Sequence, residues 1–156
     1  MATFTPRQTS RSLNGKLTQV FMQTFADRVL ILVTQMGKVG NLIQATLPAT
    51  AALIPPVSDP NQPNKLILPE PSPAIQLTSL LGSSPSAHLQ TLHSLYASQI
   101  ATIVWTEEAQ IGLESLRRSI VVGLALYPLQ EGDEGRGERE VFEGVMHMVY
   151  DLLRSK

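Results

Sequence analysis

From Val29 to Ala45 the chain runs Val29-Leu30-Ile31-Leu32-Val33, then Thr34-Gln35-Met36-Gly37-Lys38-Val39-Gly40, then Asn41-Leu42-Ile43-Gln44-Ala45. The first five residues have no polar alternate, which suits a central strand covered on both faces better than an edge strand with one wet face. Thr34-Gln35 closes that strand, and the two glycines of 36–40 supply a hairpin turn into a strand over 41–46. Upstream, Val20, Phe21, Met22 and Phe25 among Thr and Gln residues predict a strand over 17–25, with Ala26-Asp27 as a tight turn. Three strands in a meander follow.

Residues 1–16 are polar, rich in Thr, Ser and Arg and without periodicity, and are expected to form a flexible N-terminal arm. Eight of the eleven prolines fall between Pro48 and Pro73, so this segment is expected to be an excursion at the edge of the domain. Only Lys65–Leu68 and Ile75–Leu77 within and beside it look able to add a short strand. A helix is predicted from Ser84, with Pro85 in its first position and Leu89, Leu92 and Tyr96 as its apolar stripe. Ile100–Trp105 is a β-rich run. Thr106 is expected to cap a second helix, with Glu107 and Glu108 in its first turn and Leu113, Leu116, Ile120 and Leu124 as its stripe. After a solvated loop over 130–139, a last helix, Glu140–Leu153, places Val141, Val145, Met148 and Leu152 on one face. The expected architecture is an α+β domain over 17–126, with 127–156 as a loop and C-terminal helix. It has a small antiparallel sheet (a strand meander plus further strands), two helices on one face and a C-terminal helical extension.

At 156 residues and 43% hydrophobic, the chain has the size of one domain with one core. Charged residues are 16% of the total, against about 25% in typical globular proteins. So sparse a charge implies that a partner covers part of the surface. Residues 1–28 carry four bases against one acid, and residues 107–156 carry six bases against ten acids. Four bases and 5% aromatics are too few for the phosphate contacts and stacking platforms of a nucleic-acid site. There is no cysteine, hence no disulfide framework and no thiolate metal or redox chemistry. No apolar run approaches the length needed to span a bilayer, and the polar face of the last helix is acidic on balance, a poor match for anionic lipid. A soluble, intracellular protein is expected, with neither nucleic acid nor membrane as partner.

The search for chemistry returns little. His88 and His93 lie about 140° apart around a helix and cannot share a metal from one face, and His147 stands alone. Serines are plentiful, yet Gly-x-Ser-x-Gly does not occur. Gly37-Lys38 lacks the remaining residues of a phosphate-binding loop, and Glu107-Glu108 is explained by a helix start. No catalytic residue, metal ligand or cofactor site is expected. Trp105, the only tryptophan, reads as a core or rim residue.

The run Val29–Val33 with Thr34-Gln35-Met36-Gly37-Lys38-Val39-Gly40 resembles the hydrophobic strand and T-Q-[FM]-G-K-[MV]-G stretch of the proteasome assembly chaperone 3 family. Gly112-Leu113-Glu114-Ser115-Leu116-Arg117 resembles the G-L-x-x-L-R opening of that family's late helix. The resemblance covers 17–126, most closely at 29–46 and 112–121; the proline-rich segment is longer than the family's, and the stretch after Tyr127 has no counterpart. It implies a small sheet with two helices and no catalytic residue or cofactor. It also implies a heterodimer with a proteasome assembly chaperone 4-like protein, and action on the α subunits of the 20S core as their ring assembles.

If helices cover one face of the sheet, strand 29–33 still needs cover on the other. We therefore expect the outward residues Phe21, Leu30, Leu32 and Ile43 to form a dimer face, which an isolated sample could satisfy as a homodimer. The turn Gln35, Met36, Gly37, Lys38, Val39 and Gly40 is a second candidate surface, its Lys placed for a partner's carboxylate. The competing reading is a small dimerising adaptor domain of vesicle traffic or signalling that binds a GTPase or scaffold, since that plan of strands and helices is shared.

Overall fold

The computed structural model describes residues 5–54, 60–61, 67–83, 86–112, 117–127 and 135–154. Six strands, β1 (Arg7–Leu13), β2 (Lys16–Thr24), β3 (Arg28–Thr34), β4 (Asn41–Thr46), β5 (Gln76–Leu81) and β6 (Ser119–Ala125), join two helices, α1 (Ala87–Gln110) and α2 (Arg136–Arg154). The strands form one sheet in the order β1-β2-β3-β6-β4-β5. Val20, Met22, Val29, Ile31, Val33 and Ile120 point from one face of it into a core shared with both helices. The fold is α+β, as expected, but the sheet is mixed: β3 and β6 run parallel.

The meander is corrected here. β4 does not lie beside β3; β6 is inserted between them, pairing with β3 on one side and antiparallel to β4 on the other. Residues 35–40 are thus not a hairpin but a bridge over the end of β6. Ile120 and Leu124, expected on a helix stripe, belong to this central strand, whose residues 120–125 are all buried. Gly112 ends the turn after α1 and β6 starts at Ser119, so 117–121 is not helical; Leu113 and Leu116 lie outside the described residues.

The N-terminal arm is likewise ordered from Arg7. β1 pairs with β2 along its whole length through the Asn14-Gly15 turn, both residues at positive φ (50° and 76°), as a two-residue hairpin requires. Its charges explain why it stays down. Arg11 pairs with Asp151 at 3.2 Å, and Arg7 Nη1 donates to the Leu152 carbonyl at 2.8 Å, so the basic N-terminus sits on the acidic α2. Leu13 packs so closely on α2 that a Cβ at Gly144 would lie 2.4 Å from its Cδ2.

The run Ile100–Trp105 is not a strand but the middle of α1, where every residue from Ile100 to Thr106 is buried. β-Branched residues lose little by being helical when they are packed on all sides, and Thr102 and Thr106 satisfy their hydroxyls on the carbonyls of Ser98 and Thr102, both at 2.7 Å. Ser86, not Ser84, caps the helix by accepting from the Leu89 N–H at 3.2 Å; Ser84 and Pro85 lie outside the described residues. Glu107 and Glu108 fall in the last turn rather than a first one, where the helix dipole disfavours carboxylates. Arg154 (3.1 Å) and Arg118 (2.6 Å) compensate them. Trp105 is in the core, its indole N–H donating to the Arg118 carbonyl at 2.8 Å.

α2 buries Val141, Val145, Met148 and Leu152, the stripe expected of it, and packs on β1, β2 and α1. It is one of two helices on one sheet face rather than an extension beyond them. The described part of the proline-rich excursion packs on the core through Ala51, Leu53 and Leu68, with Gln99 donating to the Pro69 carbonyl at 2.8 Å. Of the two short strand candidates there, Ile75–Leu77 leads into β5, whereas residues 67–68 are in no strand. Among the described residues, no helix is long and apolar enough to cross a membrane, and no group of His, Asp or Glu could hold a metal ion.

Candidate protein-binding face and the turn beside it

No described element packs on the opposite face of the sheet. Strand alternation decides what lies there. Phe21 is opposite Leu32, Leu32 opposite Gly123, Gly123 opposite Leu42, and Leu42 opposite Leu81, which makes one row across five strands. A parallel row holds Gln23, Leu30, Val121, Gln44 and Thr78. Phe21, Leu30, Leu32 and Leu42 are half-buried, while Leu17 and Leu81 at the margins are 62% and 58% exposed. Gly123 lets the row close: a Cβ there would lie 2.5 Å from Leu32 Cδ2 and 3.1 Å from Leu42 Cδ2. Among the described residues the row carries no charge, and a contiguous apolar strip rimmed by polar residues is the usual mark of a protein-binding surface.

Phe21, Leu30 and Leu32 are thus together on the open face. Ile43 is not. It pairs with Val122 and packs against the core on the helix side, because the strand starting at Asn41 puts Leu42, not Ile43, outward. A shift of one residue moves a side chain to the other face, and nothing in the local pattern Asn-Leu-Ile-Gln chose between them.

The turn over 35–40 explains its own sequence. Thr34 Oγ1 accepts from the N–H groups of Met36 (3.1 Å) and Lys38 (3.2 Å). Gln35 ties three elements: its backbone N–H donates to the Ala125 carbonyl at 2.8 Å, its Nε2 donates to Thr18 Oγ1 at 3.1 Å, and its Oε1 accepts from the Tyr127 N–H at 2.9 Å. Gly37 and Gly40 both have φ of +70°. Four residues are committed to geometry, and Met36, Lys38 and Val39 remain for display. Gln35 was legible only as part of a motif; its role as a clamp needed the tertiary structure. Gln35→Leu would remove one of the two hydrogen bonds of the Thr18 hydroxyl, which keeps the Lys16 carbonyl, and the acceptor of the exposed Tyr127 N–H, so chemical denaturation should show a loss of about 1–2 kcal/mol with the fold retained.

Behind the turn, between the first turns of α1 and α2 and the end of β6, is a cavity of about 370 Å³. Leu89, Leu92, Leu124, Leu126 and Val141 contribute apolar walls. His93 sits in it with Nδ1 3.3 Å from Asn41 Nδ2, and burial holds its pKa below the ordinary histidine value. Tyr96 is 1% exposed, its ring edge-on to Phe142 at 5.0 Å; burial and then the charge of Glu138 push its hydroxyl far above the usual tyrosine range. No sequence signal pointed to this cavity, since its lining comes from five separate stretches of chain.

A chain in the crystal structure of a novel chaperone complex for yeast 20S proteasome assembly is similar over nearly the whole length, with a TM-score of 0.50 and 12% identity, covering 96% of this chain and 98% of that one. The likeness is one of fold. Coverage that complete takes in α2, for which the sequence showed no counterpart. No protein-family model matches the chain, and no curated protein does.

Proposed function

We propose that this chain is a non-catalytic chaperone for assembly of the 20S proteasome α-ring, paired through its open sheet face with a related chaperone and acting in the cytoplasm and nucleus. The observation that carries the proposal is the uncharged row Phe21-Leu32-Gly123-Leu42-Leu81, left open in a fold similar over nearly its whole length to a chain of a 20S assembly chaperone complex. A sheet with one face covered by helices and the other apolar is half of a sandwich; a second sheet completes it. The partner is a proteasome assembly chaperone 4-like protein, with homodimers forming when this chain is alone. The dimer then holds α subunits in the order their ring requires and leaves as β subunits arrive.

Lys38, exposed and displayed by a rigid turn, makes the second contact, to a carboxylate on an α subunit. Lys38→Glu should weaken capture of α subunits about tenfold, the worth of one charge-assisted contact, while pairing is unchanged. The deciding experiment is a tagged pull-down at near-physiological salt with mass spectrometry. Proteasome α subunits and a second small chaperone, with few β subunits, are expected. GTPases or coat components without proteasome subunits would make the chain an adaptor of traffic or signalling instead.

A further inference from the structure

Two features around the 35–40 turn, a cavity and a lysine at its mouth, have no use in the fold. The cavity behind it, about 370 Å³ and walled by Leu89, Leu92, Leu124 and Val141, is within the size range of about 300–1,000 Å³ in which proteins receive ligand groups. Its lining gives up dispersion contacts that a filled core would make. Tyr96, almost wholly buried, lines it. Lys38, on the lip, has no ion pair among the described residues, and Lys16 lies nearby, 5.0 Å over the ring of Tyr127. The acid of the opposite wall, Glu138, is engaged by His88 at 2.7 Å.

Resting on the proposed function, we infer that this cavity is the anchor pocket for the α subunit: it receives an apolar side chain from a segment in which an Asp or Glu stands beside that residue. The apolar anchor fills the hole between α1, β6 and α2, and the acid meets Lys38 at the lip. Interfaces concentrate their affinity in such pockets, where one large side chain is desolvated and flanking polar contacts fix its register. Charge complementarity selects the occupant. Among the described residues, Lys38 is the lysine that lines the mouth, and it has no acidic partner, while Lys16 lies nearby over the Tyr127 ring.

The test places a photo-crosslinking residue, p-benzoylphenylalanine, at Met36 and, separately, at Leu89, on opposite sides of the mouth, in the full chain expressed in cells. The expected product joins both positions to one segment of a proteasome α subunit holding an apolar residue next to Asp or Glu. Leu92→Trp, which fills the cavity from α1, should weaken capture of α subunits at least tenfold with pairing unchanged. Crosslinks to another segment of this chain, to the paired chaperone or to no protein, while α subunits still co-purify, would overturn the pocket and leave the proposed function standing. Absence of α subunits from every purification, wild type included, would overturn both. If Leu92→Trp fails to fold, the two crosslinks alone decide.

Discussion

Phe21→Asp should give a folded monomer that no longer pairs. Phe21 is half-exposed in the isolated chain, so a carboxylate there stays hydrated and the far-ultraviolet circular dichroism should not change. In the proposed dimer the same position is covered by a second sheet, and an unpaired carboxylate taken out of water shifts or costs several kcal/mol. The apolar contact of the ring is lost as well, about 2 kcal/mol for a large side chain. Together these predict pairing weakened at least a thousandfold, about 4 kcal/mol, and read out as a change from dimer to monomer mass in light scattering after size exclusion. Leu32→Glu should do the same with some loss of stability, since Leu32 also closes over Gly123. Ile43→Asp is the control for the corrected face: Ile43 packs on the helix side, so this change should unfold the chain rather than release a folded monomer. A folded Phe21→Asp protein that still pairs would remove the open face from consideration.

Gly40→Ala should be the most damaging single-methyl change in the molecule, and Gly37→Ala, three residues away, a mild one. Both glycines have φ of +70°, where an L side chain costs roughly 1–2 kcal/mol. At Gly37 that is the whole cost, because nothing lies within 4 Å of the added carbon. At Gly40 the new carbon would lie 2.0 Å from the backbone oxygen of Leu124 and 2.8 Å from Ala125 Cβ. Neither can step aside, since both belong to the central strand β6, held by β3 on one side and β4 on the other. Overpacking against backbone adds about 1–3 kcal/mol, so the total is on the order of 4 kcal/mol, a large share of a small domain's stability. Urea denaturation of the two variants side by side checks this. Equal losses would mean that the turn does not cross β6 as closely as the structure has it.

The same comparison explains what the motif Thr34–Gly40 is for. Its threonine, glutamine and glycines are the parts of a bridge that lifts the chain from β3 over the end of β6 and sets it down as β4. As a sequence it has the composition of a hairpin, because a hairpin and a bridge both need positive φ and a side-chain oxygen to hold their N–H groups. Which one forms depends on whether a strand arrives later to fill the gap. That strand, β6, lies some eighty residues downstream.

Some of the architecture was determined by the sequence alone. Apolar runs and the turn residues between them placed β2, β3 and β4 to within a residue or two, with Phe21, Leu30 and Leu32 sharing a face, and the stripe Val141-Val145-Met148-Leu152 identified α2 and its buried side. Residues 1–16 were expected to be a flexible arm because β1 has only one buried apolar residue, Leu13, and so shows no period; the hairpin at Asn14-Gly15 came from the tertiary structure. Local pattern reports which face of a segment is apolar; it does not report what lies against that face. Ile100–Trp105 became helix because α1 is enclosed on all sides there, which makes β-branched residues as acceptable as any other. The insertion of β6, the seating of β1 on α2 through Arg7 and Arg11, the inward turn of Ile43 and the cavity behind the 35–40 turn were decided only by tertiary structure. Each depends on contacts between residues far apart in the chain, and the free energy that chooses among such contacts does not exist until the segments meet.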